Sequence, residues 1–215
     1  MGRYTRGLPA LVLGAAAMAS PLAGQQEVGT GSFKWYFGAY AGATMFETNA
    51  QEDRTSPMVG AQIFVTARRT ALRFSVEETF SDNNLAFFPD ASAPGGVQQL
   101  SFNNIRKYSL MLIALPLQGA IQPYLGLGVG WMHTVNTYLI GTPTDPVAAH
   151  DEAVKRGSVG FGSAMAGLQI RMKGVAVFGT WQITSSPDDS KYLVGPTNSF
   201  SGGVRLSLGR SRETF

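Results

Sequence analysis

The chain offers only two histidines, His133 and His150, and no cysteine, to any reaction that needs a base or a nucleophile. Acyl transfer or hydrolysis through a histidine requires that ring within hydrogen-bond reach of a serine and, behind it, an acid. His133 lies in the segment HTVN and His150 in an acidic stretch, and both read as non-catalytic. The acid pairs Asp151 with Glu152 and Asp188 with Asp189 have the chemistry to hold a divalent cation, but an ordered site needs about six converging oxygens. They read as solvated loop charges, so neither a catalytic site nor a metal or cofactor site is expected.

A second set of charges is more informative because of where it stands. Lys34, Arg73, Glu77, Arg171 and Arg205 occur inside segments that alternate apolar and polar residues with a period of two,. In the first such segment Phe33, Trp35, Phe37, Ala39, Ala41, Ala43 and Met45 share one face, and Lys34, Tyr36, Tyr40 and Thr44 share the other. Seven more segments follow at 57–67, 71–81, 102–115, 122–135, 158–172, 174–184 and 199–208. Most reach the roughly 9 to 11 residues that a tilted strand needs to cross a bilayer. The stretch from Ser109 to Met132 carries no charge, but Pro116, Gly119 and Pro123 interrupt it, and Gly126, Gly128 and Gly130 recur at strand period. It reads as a hairpin turning near Gln118 and Gly119, with the glycines leaving room for large neighbours.

The connections between these segments alternate long and short. Strands 1 and 2, 3 and 4, 5 and 6, and 7 and 8 are joined by about ten, twenty, twenty-two and fourteen residues,. The others turn tightly at Arg68 and Arg69, at Gln118 and Gly119, and at Lys173 and Gly174. That rhythm predicts an all-β, eight-stranded, antiparallel, up-and-down transmembrane barrel, with long loops outside and both termini in the periplasm. A soluble barrel of the same strand number would turn its apolar faces inward; strand length and loop rhythm argue against it.

Composition agrees with a chain that does not face water everywhere. Charged residues are 14 % of the total, 26 residues are Gly, and a soluble domain usually carries about a quarter charged,. Met1 to Arg6 holds Arg3 and Arg6 ahead of LPALVLGAAAMA, which reads as a secretory signal over 1–24, followed by a linker at 25–32, the barrel at 33–208 and an extension at 209–215,. Without Arg3 and Arg6 the formal charge falls from +3 to +1, so no nucleic-acid partner is expected,.

These segments resemble the OmpA/OmpX-like family of eight-stranded outer-membrane barrels: KWYFGAYAGATMF its opening strand, IQPYLGLGVGWMHTV its fifth, and SFSGGVRLSLG its closing strand. The resemblance implies a bacterial outer-membrane location among lipid and lipopolysaccharide. It also implies that Ser201, Gly203, Leu206 and Leu208 form the closing-strand signal read by the barrel-assembly machinery. Family motifs identify the scaffold and not the activity.

A non-enzymatic envelope protein, with a side-chain-filled lumen and loops that meet a surface partner, is the leading expectation. Its rivals are a small pore or OmpW-like conduit for apolar solutes, and a lipid A-modifying enzyme. Against the last, Val135 stands where a PagL-like enzyme has serine. An eight-stranded barrel is just wide enough to be filled by its own side chains, so Glu77 is expected to pair inside with Arg73, Arg205 or both. Arg106, Lys107, Lys155 and Arg156 fall where strands 4 and 6 leave their loops, and are expected either to meet lipopolysaccharide phosphates or to form ordinary rim salt bridges.

Overall fold

The computed structural model describes residues 33–207, except 91, 92, 94, 142, 144 and 186–190. The signal segment, the linker, the terminal extension and Leu208 lie outside the described residues. Eight strands close on themselves, each antiparallel to its neighbours: β1 (Lys34–Thr48), β2 (Arg54–Ala67), β3 (Thr70–Pro89), β4 (Val97–Ala114), β5 (Ile121–Ile140), β6 (Ser158–Met172), β7 (Val175–Thr184) and β8 (Leu193–Ser207). A helix, α1 (Pro146–Arg156), interrupts the connection between β5 and β6.

The register fixes the geometry of the barrel. A row of partners that leaves β6 at Ser158 passes through His133, Arg106, Glu78, Val59, Ala41, Gly202 and Gly179, and returns to β6 at Leu168, ten residues on. With about 3.3 Å per residue along a strand and about 4.8 Å between strands, a stagger of ten over eight strands sets a tilt of roughly 40° and a backbone radius of about 8 Å. Outward positions from Trp35 to Met45 then climb about 25 Å along the barrel axis, the height of an apolar membrane band.

Four strands, β3, β4, β5 and β8, run five or more residues past the ends their sequence alternation suggests. On β3 the buried positions are Ala71, Arg73, Ser75, Glu77, Thr79 and Ser81, and then Asn84, Ala86 and Phe88. The inward face changes parity at Asn83, whose φ of 55° lies in the left-handed region that Asn tolerates better than most residues,. On β4 and β5 the pairing passes over Asn103 and over Asn136, which also has positive φ, at 54°. Each strand swaps faces at this level and continues. The connections between strands 3 and 4 and between strands 1 and 2 are therefore 90–96 and 49–53, shorter than expected, because residues assigned to loops are paired as sheet.

The extension leaves the upper part of β3 without β2 beside it, since their pairing stops at Met58 and Thr79. Side chains from 49–53 take its place. Phe87 donates its backbone N–H to Asn49 Oδ1 (2.9 Å) and accepts at its carbonyl from Asn49 Nδ2 (2.7 Å), while Gln51 Oε1 accepts from the Leu85 N–H (3.0 Å). An edge that would otherwise present bare backbone is capped by amides.

Inside the barrel, large rings use the space over glycine. A Cβ at Gly60 would collide with the ring of Tyr40, one at Gly167 with Tyr124, and one at Gly130 with Phe161. The Gly-alternating strand β5 thus lets Phe161 lie across it.

Candidate functional site

Among the described residues the lumen gathers the buried charge, and alternation explains how. Arg73 and Glu77 on β3, Lys107 on β4 and Arg205 on β8 all point inward, each 1–2 % exposed. Glu77 sits between two cations, with Lys107 Nζ at 3.0 Å and Arg73 Nη2 at 3.8 Å, and it accepts a third contact from the Tyr40 hydroxyl at 3.0 Å. Lys107 also donates to Ser199 Oγ at 3.0 Å. Arg73 spreads its remaining donors over Gln62 Oε1 (2.7 Å) and Gln182 Oε1 (3.2 Å), its guanidinium carbon 5.1 Å from the centre of the Tyr40 ring. Around this cluster Ser75 meets Ser109 at 2.7 Å and Thr44 meets Ser199 at 3.2 Å. Glu77 offsets one of the two cations it touches, and the arrangement spans the bore from β1 and β2 across to β7 and β8.

Two placements differ from expectation. Lys107 does not stand at the rim: it is buried and bonded to Glu77, because neighbours on a strand face opposite ways and Arg106 takes the outside,. Arg205 does not reach Glu77. Its Nη1 donates to Gln169 Oε1 at 2.6 Å, and Phe64 and Phe178 lie 4.0 Å from its guanidinium carbon, one ring centre each. Lys34 and Arg171 are half-buried at the short-turn end, where Arg171 Nη2 donates to the Tyr36 hydroxyl at 3.2 Å.

Of the remaining rim candidates, Arg106 and Arg156 are engaged with protein groups. Arg106 Nε bonds Glu78 Oε2 at 2.6 Å across the β3–β4 pair, and Arg156 Nε bonds Glu152 Oε1 at 2.6 Å along α1. The Lys155 carbonyl accepts from Lys191 Nζ at 3.1 Å. Ser201 and Gly203 share the inward side of β8 and Leu206 faces out, 54 % exposed.

Above the charged layer the bore changes character. Phe46, Phe88, Leu100, Phe102, Ile105, Met132, Phe161, Tyr192 and Leu193 form one buried cluster with Ala149 and Ala153 of α1. The helix is held there by ordinary rules: Asp145 caps its first turn by accepting from Val147 and Ala148 N–H at 3.1 Å, and Pro146 takes the first position,. Tyr192 stacks on Phe102 with ring centres 6.5 Å apart and donates its hydroxyl to the Ala153 carbonyl at 2.9 Å. Burial holds its phenol above the usual tyrosine range, with smaller opposed effects from Arg156 and Glu152. The sequence carried a signal for this helix, Asp-Pro followed by alanines four apart, within a stretch read as loop,.

His133 faces outward and is half-buried. Its register partner on β6 is Ser158, yet Nε2 has no hydrogen-bond partner among the described residues, and the nearby Glu78 carboxylate is taken by Arg106 and Asn104. Among the described residues Nε2 therefore enters no relay with a serine and an acid. Among the described residues no group of three or more His, Cys, Asp or Glu is placed to hold a metal ion.

No family model and no curated protein matches this sequence. A solved structure, Neisserial surface protein A, superposes with a TM-score of 0.53 at 10 % identity, over 80 % of this chain and 96 % of that one. The chain shares that eight-stranded barrel fold. The N-terminal β-barrel domain of Pseudomonas aeruginosa OprF (TM-score 0.43, 13 % identity, 80 % and 97 % covered) and P. aeruginosa outer membrane protein OprG (0.36, 13 %, 82 % and 93 %) are more distant similarities. At these identities the likeness concerns the fold alone.

Proposed function

We propose that this protein is a non-enzymatic barrel of the bacterial outer membrane, closed to solutes, whose outer mouth is a contact surface for the cell's surroundings or a surface partner. The membrane part of the reading is supported by the outward face, where Trp35, Phe37, Phe74, Leu110, Val129, Trp131, Trp181 and Phe200 are all exposed and Leu127 is 70 % exposed. A continuous apolar surface of this extent needs lipid against it. Lipid and lipopolysaccharide are the proposed neighbours of that belt, and the assembly machinery the proposed reader of β8 during biogenesis.

The observation that carries the closed-lumen reading is the packing of the bore through two successive layers, the Glu77 network and the apolar cluster under α1. The gap between Arg205 and Arg171 has a volume of ≈ 10 Å³, about one water,. The test is single-channel recording of refolded protein in a planar bilayer. Silence from protein that is verifiably folded is the expected result; discrete steps would overturn the reading and make Lys34, Arg73, Glu77 and Arg205 candidates for selectivity.

A further inference from the structure

The two ends of the barrel carry opposite charge. Every acid among the described residues lies at the level of Glu77 or nearer the long loops, and none stands at the short-turn end. The described residues of that end include five cations: Arg68 and Arg69 in the β2–β3 turn, Lys173 in the β6–β7 turn, Lys34 at the start of β1 and Arg171 near the end of β6. Arg68, Arg69 and Lys173 are exposed, and no ion pair among the described residues engages them. Lys34 and Arg171 are half-buried beside the mouth. The turn between β4 and β5 has no charge, so the cations form an arc running from β6 through β8 and β1 to β3. Like charges gathered on one rim repel one another unless anions stand nearby.

The register sets the depth of this arc. With about 2.5 Å of axial rise per residue and about 3 Å per strand along a row, the cations lie roughly 2 to 7 Å below Trp35, on the side away from the long loops. Trp35 is 51 % exposed at the lower edge of the apolar belt, and Met172, 52 % exposed, comes directly before Lys173. Lipid headgroups of the adjoining leaflet stand at this depth, just beyond the hydrocarbon. Long basic side chains reach that level with their stems along apolar surface. We propose that Arg68, Arg69 and Lys173 bind anionic phospholipid headgroups, of the phosphatidylglycerol class, in the leaflet at the short-turn end, with Lys34 and Arg171 adding to the field. The inference rests on the membrane reading above. A zwitterionic headgroup offers the same phosphate but brings its own ammonium, so it leaves the charge of the arc uncompensated. An anionic headgroup supplies net charge and accepts charge-assisted hydrogen bonds from the arginines.

The experiment reads lipid composition beside single tryptophans of the refolded protein in vesicles. Trp131→Phe with Trp181→Phe leaves Trp35 near the arc, and Trp35→Phe with Trp181→Phe leaves Trp131 on the upper part of β5. The vesicles are phosphatidylcholine with a minor fraction of phosphatidylglycerol. Quenching bromines are carried either by the phosphatidylglycerol or by an equal fraction of the phosphatidylcholine. At low salt, phosphatidylglycerol is expected at about three times its bulk share beside Trp35. Salt at about 1 M should erase that excess, because the Debye length falls to about 3 Å. Trp131 is expected to report the bulk share. Adding Arg68→Gln, Arg69→Gln and Lys173→Gln is expected to remove the excess at Trp35. Equal quenching of Trp35 by the two lipids would overturn the proposal and leave the membrane reading standing. An excess that survives the substitutions, or that appears equally at Trp131, would do the same. Absence of quenching by either lipid would remove the membrane reading and this proposal with it.

Discussion

The middle of the bore and its upper mouth are closed by different physics. In the middle, Glu77, Arg73, Lys107, Tyr40 and their amide partners depend on one another, and removal of any member leaves a buried group unpaired. At the mouth, Phe88, Phe102, Met132, Tyr192 and the alanines of α1 contribute contact area that adds nearly independently. A polar plug is therefore brittle to single changes, whereas an apolar plug degrades in proportion to the atoms lost.

The sharpest way to break this comparison is Glu77→Leu. It strands Arg73 and Lys107 without a counter-charge and is expected to cost about 3 to 5 kcal/mol in urea unfolding. Adding Lys107→Met to that variant is expected to restore much of the loss, which a simple packing defect would not allow. Phe102→Ala is expected to cost about 3 kcal/mol as a cavity, and to expose α1 to trypsin at Lys155 and Arg156 in bilayer-embedded protein. Glu77→Leu should leave that cleavage pattern unchanged.

Tyr192 gives the mouth a pH dependence of its own. Because burial raises its folded value above the unfolded one, its contribution is complete below the ordinary tyrosine value of about 10 and is lost as pH climbs above it. Cleavage of α1 by a protease that tolerates alkali is therefore expected to rise above about pH 10 in the wild type. In Tyr192→Phe that rise should disappear, at a cost of about 1 kcal/mol for the hydrogen bond to Ala153. The smallest effect is expected from Asn49→Ala, about 0.5 to 1 kcal/mol, read as faster hydrogen exchange at the Phe87 amide with the rest of the barrel unchanged.

Much of the architecture was legible in the sequence because one face of each strand is apolar for about ten residues at a time. The sixth strand was read as 158–172 and is found as Ser158–Met172, and the turns at Arg68 and Lys173 fall between strands as expected. The reading failed where periodicity itself fails. At Asn83, Asn103 and Asn136 the strands exchange faces, so alternation appears to end although pairing continues. Lys107 was misplaced for a related reason. Around it both faces of β4 are apolar, Leu110 and Leu112 outside and Met111 and Ile113 inside, so nothing in the pattern says which side is in. The separation of Arg205 from Glu77 was not legible at all, since it depends on height within the barrel and not on face.

Height has a simple rule here. A stagger of ten residues means that each step to the next strand along a row changes depth by about 3 Å. Single-cysteine labels carried on this cysteine-free chain at Val59, Arg106 and Ser158 should therefore report a staircase of quenching by a depth-graded probe, rising from the middle of the bilayer toward its outer boundary. The protein thus carries its own ruler, wound around its circumference.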